Sequence, residues 1–113
     1  MREIEIKMLE TIHNQRDAVA LREASRLTNK LGNTTITTGL REDDVVITTV
    51  YLHGNIIAQG DAFSWGFKLA GWPSPTTKSR INALANHFGF HGVSTKAGKH
   101  YSGNKEINTL DWF

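Results

Sequence analysis

Val45-Val46-Ile47-Thr48-Thr49-Val50-Tyr51-Leu52-His53-Gly54-Asn55-Ile56-Ile57-Ala58-Gln59 is the stretch that decides the fold. Its first half is rich in β-branched residues, and Val46, Thr48, Val50 and Leu52 share one face of a strand. His53, Gly54 and Asn55 then supply tight-hairpin chemistry, in which Gly beside Asn accepts positive φ. Ile56 to Gln59 returns as the partner strand. Gly60-Asp61 forms a second turn, after which Phe63, Trp65, Phe67 and Leu69 alternate with Ser64, Gly66 and Lys68. That period of two predicts a third strand with one buried face, completing an antiparallel meander.

Downstream, Gly71-Trp72-Pro73-Ser74-Pro75 ends the sheet, because proline has no N–H for a ladder. A helix follows, capped by Ser74 with Pro75 in its first position, or by Thr76. Ile81, Leu84, Ala85 and Phe88 form its apolar stripe, and Gly89 stops it. Val93 to Tyr101 reads as a small hairpin turning at Ala97-Gly98, and Ile107 to Phe113 as a closing edge strand.

Upstream, Ile4, Met8 and Ile12 are spaced by four and predict a helix over about Ile6 to Asn14. A second helix is expected over Asp17 to Leu31, where Ala18, Leu21, Ala24, Leu27 and Leu31 recur every three or four residues before Gly32. Asn33 to Thr38 reads as a short strand, and Arg41-Glu42-Asp43-Asp44 as a charged turn. The expected fold is α+β, an antiparallel sheet (three-stranded meander plus C-terminal hairpin) with helices packed on one face. Residues 1–113 are expected to form a single domain, with a helical segment over about 6–31 and a sheet-and-helix core over about 33–113.

Composition narrows the function. The 113 residues include no Cys, which excludes disulfides and cysteine-based zinc sites. No apolar run approaches the ~18 residues of a membrane span, so no membrane partner is expected. There is no GxSxG elbow and no phosphate-cradling lysine loop, and no catalytic residue is expected. Glu42-Asp43-Asp44 falls in a turn, and the His87/His91 pair is interrupted by Gly89, so neither metal nor cofactor is expected. Charge is uneven: residues 1–63 carry seven Lys/Arg against nine Asp/Glu, whereas residues 64–113 carry six against two.

The basic half admits a phosphate-binding reading. Lys68, Lys78, Arg80, Lys96 and Lys99 are candidate contacts to nucleic acid, with Thr76 and Thr77 at a helix start and Trp72 as a stacking platform. Capping explains both threonines equally well, and core packing explains Trp72. Trp65 is assigned to the core and Trp112 to its edge.

Val50-Tyr51-Leu52-His53-Gly54-Asn55-Ile56-Ile57-Ala58, followed by Gly71-Trp72-Pro73-Ser74-Pro75-Thr76-Thr77-Lys78-Ser79-Arg80-Ile81-Asn82-Ala83-Leu84, resembles a group of small tailed-bacteriophage proteins. The resemblance covers about half the chain, and Asp17 to Leu31 looks like an addition to the shared pattern. It carries no activity with it. It implies a small accessory protein in the cytoplasm of an infected bacterium, working by stoichiometric binding to a host protein or defence complex as inhibitor or adaptor. The candidate protein interface is Leu21, Arg22, Arg26, Leu27 and Lys30, an apolar patch with a charged rim. The alternative partner is DNA or RNA, held by the basic C-terminal half.

Overall fold

A computed structural model describes residues 2–61, 63–71 and 73–113. The elements run α1 (Glu3–Ala20), β1 (Arg26–Leu31), β2 (Thr34–Leu40), β3 (Val46–Leu52), β4 (Asn55–Gly60), β5 (Trp65–Phe67), α2 (Pro75–Phe88), β6 (Ser94–Lys96), β7 (Lys99–Ser102) and β8 (Lys105–Ile107). The fold is α+β, with a five-stranded antiparallel sheet in the order β1-β2-β3-β4-β5 and a three-stranded sheet in the order β6-β7-β8.

The meander forms as expected. Leu52 pairs with Asn55, leaving His53-Gly54 as a two-residue turn. Both turn residues have positive φ, 51° and 80°, which matches the right-handed twist of the flanking strands. Asn55 therefore opens β4. At the other end of β4, a methyl group on Gly60 would collide with the Trp65 ring. The bare backbone lets Trp65 lie flat on the sheet and stack on Phe88 of α2, ring centroids 4.6 Å apart.

The N-terminal segment departs from expectation. α1 is one continuous helix to Ala20, and the helix expected through Leu31 is broken, its last six residues forming β1. Leu27 and Leu31 are four apart, a spacing that shares a face in a strand as well as in a helix. Arg22 decides between them: its φ of 62° ends the helix. β1 then folds back on the threonine-rich β2, Leu31 opposite Thr34, through the two-residue turn Gly32-Asn33. The edge strand expected over Ile107 to Phe113 is also divided. Ile107 ends β8, while Phe113 exchanges two backbone hydrogen bonds with Phe67 of β5, at 2.9 and 2.8 Å.

The main core joins Met8, Leu9 and Ile12 of α1 to Ile36, Val50, Ile57 and Phe67 of the sheet and to Ile81 and Leu84 of α2. Inside it lies a polar spine. Gln15 donates to the Ile36 carbonyl at 2.9 Å and to Asn29 Oδ1 at 2.8 Å, and accepts from Thr38 at 2.8 Å. Glu5 Oε2 accepts from Arg80 Nη1 at 2.8 Å and from Ser79 Oγ at 2.6 Å, while Arg80 Nε donates to Thr34 Oγ1 at 3.2 Å. These bonds tie α1, α2 and β2 together, and among the described residues no buried side-chain polar atom lacks a partner.

Burial pushes the Glu5 carboxyl up, but the hydrogen bonds from Ser79, Arg80 and the Arg2 N–H, with the Arg80 charge, outweigh it and hold the group below its ordinary 4.5. Glu5 therefore contributes its stability in full above the unfolded-state value and loses it as pH falls through the depressed folded value. Glu5→Gln should cost about 3–5 kcal/mol in urea unfolding at pH 7, because it strands a buried guanidinium. That gap should narrow in acid; a gap unchanged down to pH 2 would contradict the assignment.

Candidate binding surfaces

The phosphate-binding group breaks apart in the fold. Ser74 is the N-cap of α2 and Pro75 its first residue, with Ser74 Oγ accepting the Thr77 N–H at 3.1 Å. Thr77 is buried and its hydroxyl lies 3.0 Å from Ser74 Oγ, so capping accounts for it. Arg80 is 3% exposed and bound to Glu5 inside the core, which corrects its assignment as a surface phosphate contact. Its position on α2 lies beside the apolar stripe, and the long side chain turns inward because Glu5 waits there.

Of the remaining cations, Lys68 holds its ammonium 5.4 Å over the Trp112 ring on β5's flank. Lys78 instead donates to Thr95 Oγ1 of the small sheet at 2.9 Å. Lys96 is exposed at the tip of the β6–β7 hairpin, and Lys99 stands 3.8 Å from Glu106. Thus Lys78, Lys96 and Lys99 belong to one region, and Lys68 to another. Trp72 lies outside the described residues.

The hairpin tip and the start of α2 meet. Exposed His53 and Asn55 border a cavity of about 450 Å³ with Ser74, Thr76 and Thr77, above Leu52, Ile57 and Leu69. No Lys or Arg lines it among the described residues, so it lacks the charge a phosphate demands. Gly54 is exposed at the turn.

The candidate protein-interface residues lie on a different local structure from the expected helix. Leu21 is 70% exposed in the turn after α1. Arg22 folds back, its Nη1 3.3 Å from the carbonyls of Val19 and Ala20, and so satisfies the helix end. Arg26 and Lys30 are exposed on one face of β1, and Leu27 is half-buried on the other, the face that turns Asn29 to Gln15 of α1. β1 pairs only with β2, which leaves its outer edge open among the described residues.

Two features were not read from the sequence. Phe63, expected on the buried face of a strand, is 93% exposed. Asp61 explains this: its Oδ1 accepts the N–H groups of Phe63 and Ser64, at 2.7 and 2.9 Å, and holds the chain in a turn until Trp65. Those same bonds hold the Asp61 carboxyl below its usual range. An Asp two residues before the aromatic was the available signal. Phe63 borders a cavity of about 470 Å³ whose lining includes Arg16, Asp17, Ala20, Asp44, Val45, Val46 and Asp61. Arg16 is half-buried there, donating to Thr48 Oγ1 at 3.1 Å, and desolvation lowers its pKa against the pull of Asp61.

The second feature is His87, which does not face His91 beyond the left-handed Gly89 but meets His13 of α1, Nε2 to Nε2 at 2.7 Å. Among the described residues no three His, Asp or Glu side chains converge as a metal would need. Glu42, Asp43 and Asp44 stay in their turn, where Arg41 forks onto Asp43 and holds its carboxyl at about 2.

The chain belongs to the Kyanoviridae Gp96 protein family, which it matches over residues 1–113. Asp17 to Leu31, read above as an addition, lies inside that match. No curated protein and no solved structure matches it significantly.

Ser74→Ala should lower stability by about 1 kcal/mol, whereas Thr76→Ala should change it by less than about 0.5 kcal/mol. Thermal melts of the two variants distinguish the caps; equal losses would contradict the Ser74 assignment.

Proposed function

We propose that this phage protein acts without catalysis, by stoichiometric binding to a host protein in the cytoplasm of the infected cell, as an inhibitor or adaptor. The observation that supports this most is the open edge of β1 with its approach turn. There Leu21 is 70% exposed in the turn that leads into β1, and Arg26 and Lys30 are exposed along the strand itself. Unpaired strand backbone carrying exposed cations, with an exposed apolar residue at its approach, suits strand addition, in which main-chain bonds supply affinity and side chains supply selectivity. No helix of the described residues is long and apolar enough to cross a membrane.

A second reading has its own support. Lys78 reaches the small sheet that carries Lys96 and Lys99, a cluster suited to nucleic-acid phosphates. Burial of Arg80 and Thr77 and the nearness of Glu106 to Lys99 reduce that cluster, so the protein partner is preferred.

Capture from nuclease-treated host lysate separates the two. The wild-type chain should retain a protein in about one-to-one ratio, and Leu21→Ser/Arg26→Glu/Lys30→Glu should lose it with an unchanged far-ultraviolet circular dichroism spectrum. Retention by that variant would contradict the β1 surface. Capture that disappears with nuclease, together with DNA or RNA binding that weakens steeply between about 50 and 200 mM salt, would favour the second reading.

A further inference from the structure

The pocket beside Phe63 has a chemistry that specifies an occupant. Its walls are apolar, from Ala20, Val45 and Val46, and its rim holds Asp17, Asp44 and Asp61, with Arg16 the one cation lining it among the described residues and Arg41 close enough to act on Asp61. Arg16 is already engaged by Thr48 and the Gly60 carbonyl. Asp17 and Asp44 have no salt-bridge partner among the described residues. Phe63 offers its ring at 93% exposure, although a folded chain gains by covering such a surface. We propose that this pocket seats an arginine side chain of the host-protein partner, and the proposal rests on the protein-binding reading above.

Each part of the site matches a part of arginine. The aliphatic stem suits the walls of Ala20, Val45 and Val46. The planar guanidinium stacks on Phe63, and its fork of donors satisfies the carboxylates of Asp17 and Asp44. Lysine, a compact and strongly hydrated point charge, stacks less well and cannot fork. Phosphate is repelled by the excess of carboxylates. The local charge runs against the chain's net charge of +2 but follows its N-terminal part: the lining residues all fall within residues 1–63, which carry nine acids against seven cations. Arginine is also among the side chains that dominate protein interfaces, so one such seat is enough to anchor a partner.

The probe is a capped tetra-arginine peptide added to the ¹⁵N-labelled chain, with capped tetra-lysine and tetra-glutamine as comparisons. Tetra-arginine should give saturable shifts centred on the amides of Asp17, Ala20, Asp44 and Phe63, with tetra-lysine at least threefold weaker and tetra-glutamine silent. Phe63→Ala and Asp17→Asn/Asp44→Asn should each weaken tetra-arginine about three- to tenfold, the range of one cation–π or exposed ionic contact. Shifts centred elsewhere, equal binding of tetra-lysine, or unchanged affinity in Phe63→Ala would overturn the arginine seat. A silent titration beside intact lysate capture overturns the seat alone. Saturable arginine binding with no captured protein overturns the host-protein reading and leaves arginine recognition standing.

Discussion

The buried ion pair between Glu5 and Arg80 is the constraint on which the arrangement of the two helices depends. Each side chain is 4% exposed, and the pair is separated by 75 positions in the chain. Neither charge tolerates burial without the other, so these side chains can be buried only when α1 and α2 bring them together. Ser79 and Thr34 take up further hydrogen-bonding capacity, which makes the network a fit for one register of helices and sheet only. Met8 and Ile12, on the same helix as Glu5, are then carried onto the sheet and fully buried.

This interaction also redistributes the charge available for function. Arg80 reads in sequence as part of a basic helix start, yet it serves the interior. What remains of the C-terminal basic half is spread over β5's flank and the small sheet, and Asn82 clamps that sheet to α2 by donating to the Val93 carbonyl and accepting its N–H. The opposite end of the molecule, where α1 ends and the β2–β3 and β4–β5 turns meet, is left with the exposed aromatic and the unpaired carboxylates. The surfaces with unused chemistry thus lie where the polar spine does not reach.

The meander, the His53-Gly54 turn, the Ser74 cap and the Gly89 stop were legible because each depends on chemistry within a few residues. β1 was not, since leucines four apart satisfy both periodicities, and the break at the left-handed Arg22 with the pairing to β2 selects the strand. Phe63 obeyed the alternation of its neighbours, but the side chain of Asp61 bound the backbone and turned it outward. Arg80 was misjudged, and the partner of His87 was missed, for a shared reason. Their partners, Glu5 and His13, come from α1, and no local pattern reveals a contact 74 or 75 residues away. The five candidate interface residues lie on a turn and an edge strand rather than a helix, because the left-handed Arg22 ends α1 and β1 folds back on β2.

The central claim, that Arg80 is an internal tie and not a ligand contact, is tested most directly by the exchange of its Nε–H with solvent. In ¹⁵N-labelled protein at neutral pH, that proton should be visible and exchange far more slowly than the Nε–H of Arg26 on exposed β1, and an added polyanion should leave its shift unchanged. Exchange as fast as that of Arg26, or a saturable shift with polyanion, would contradict the account.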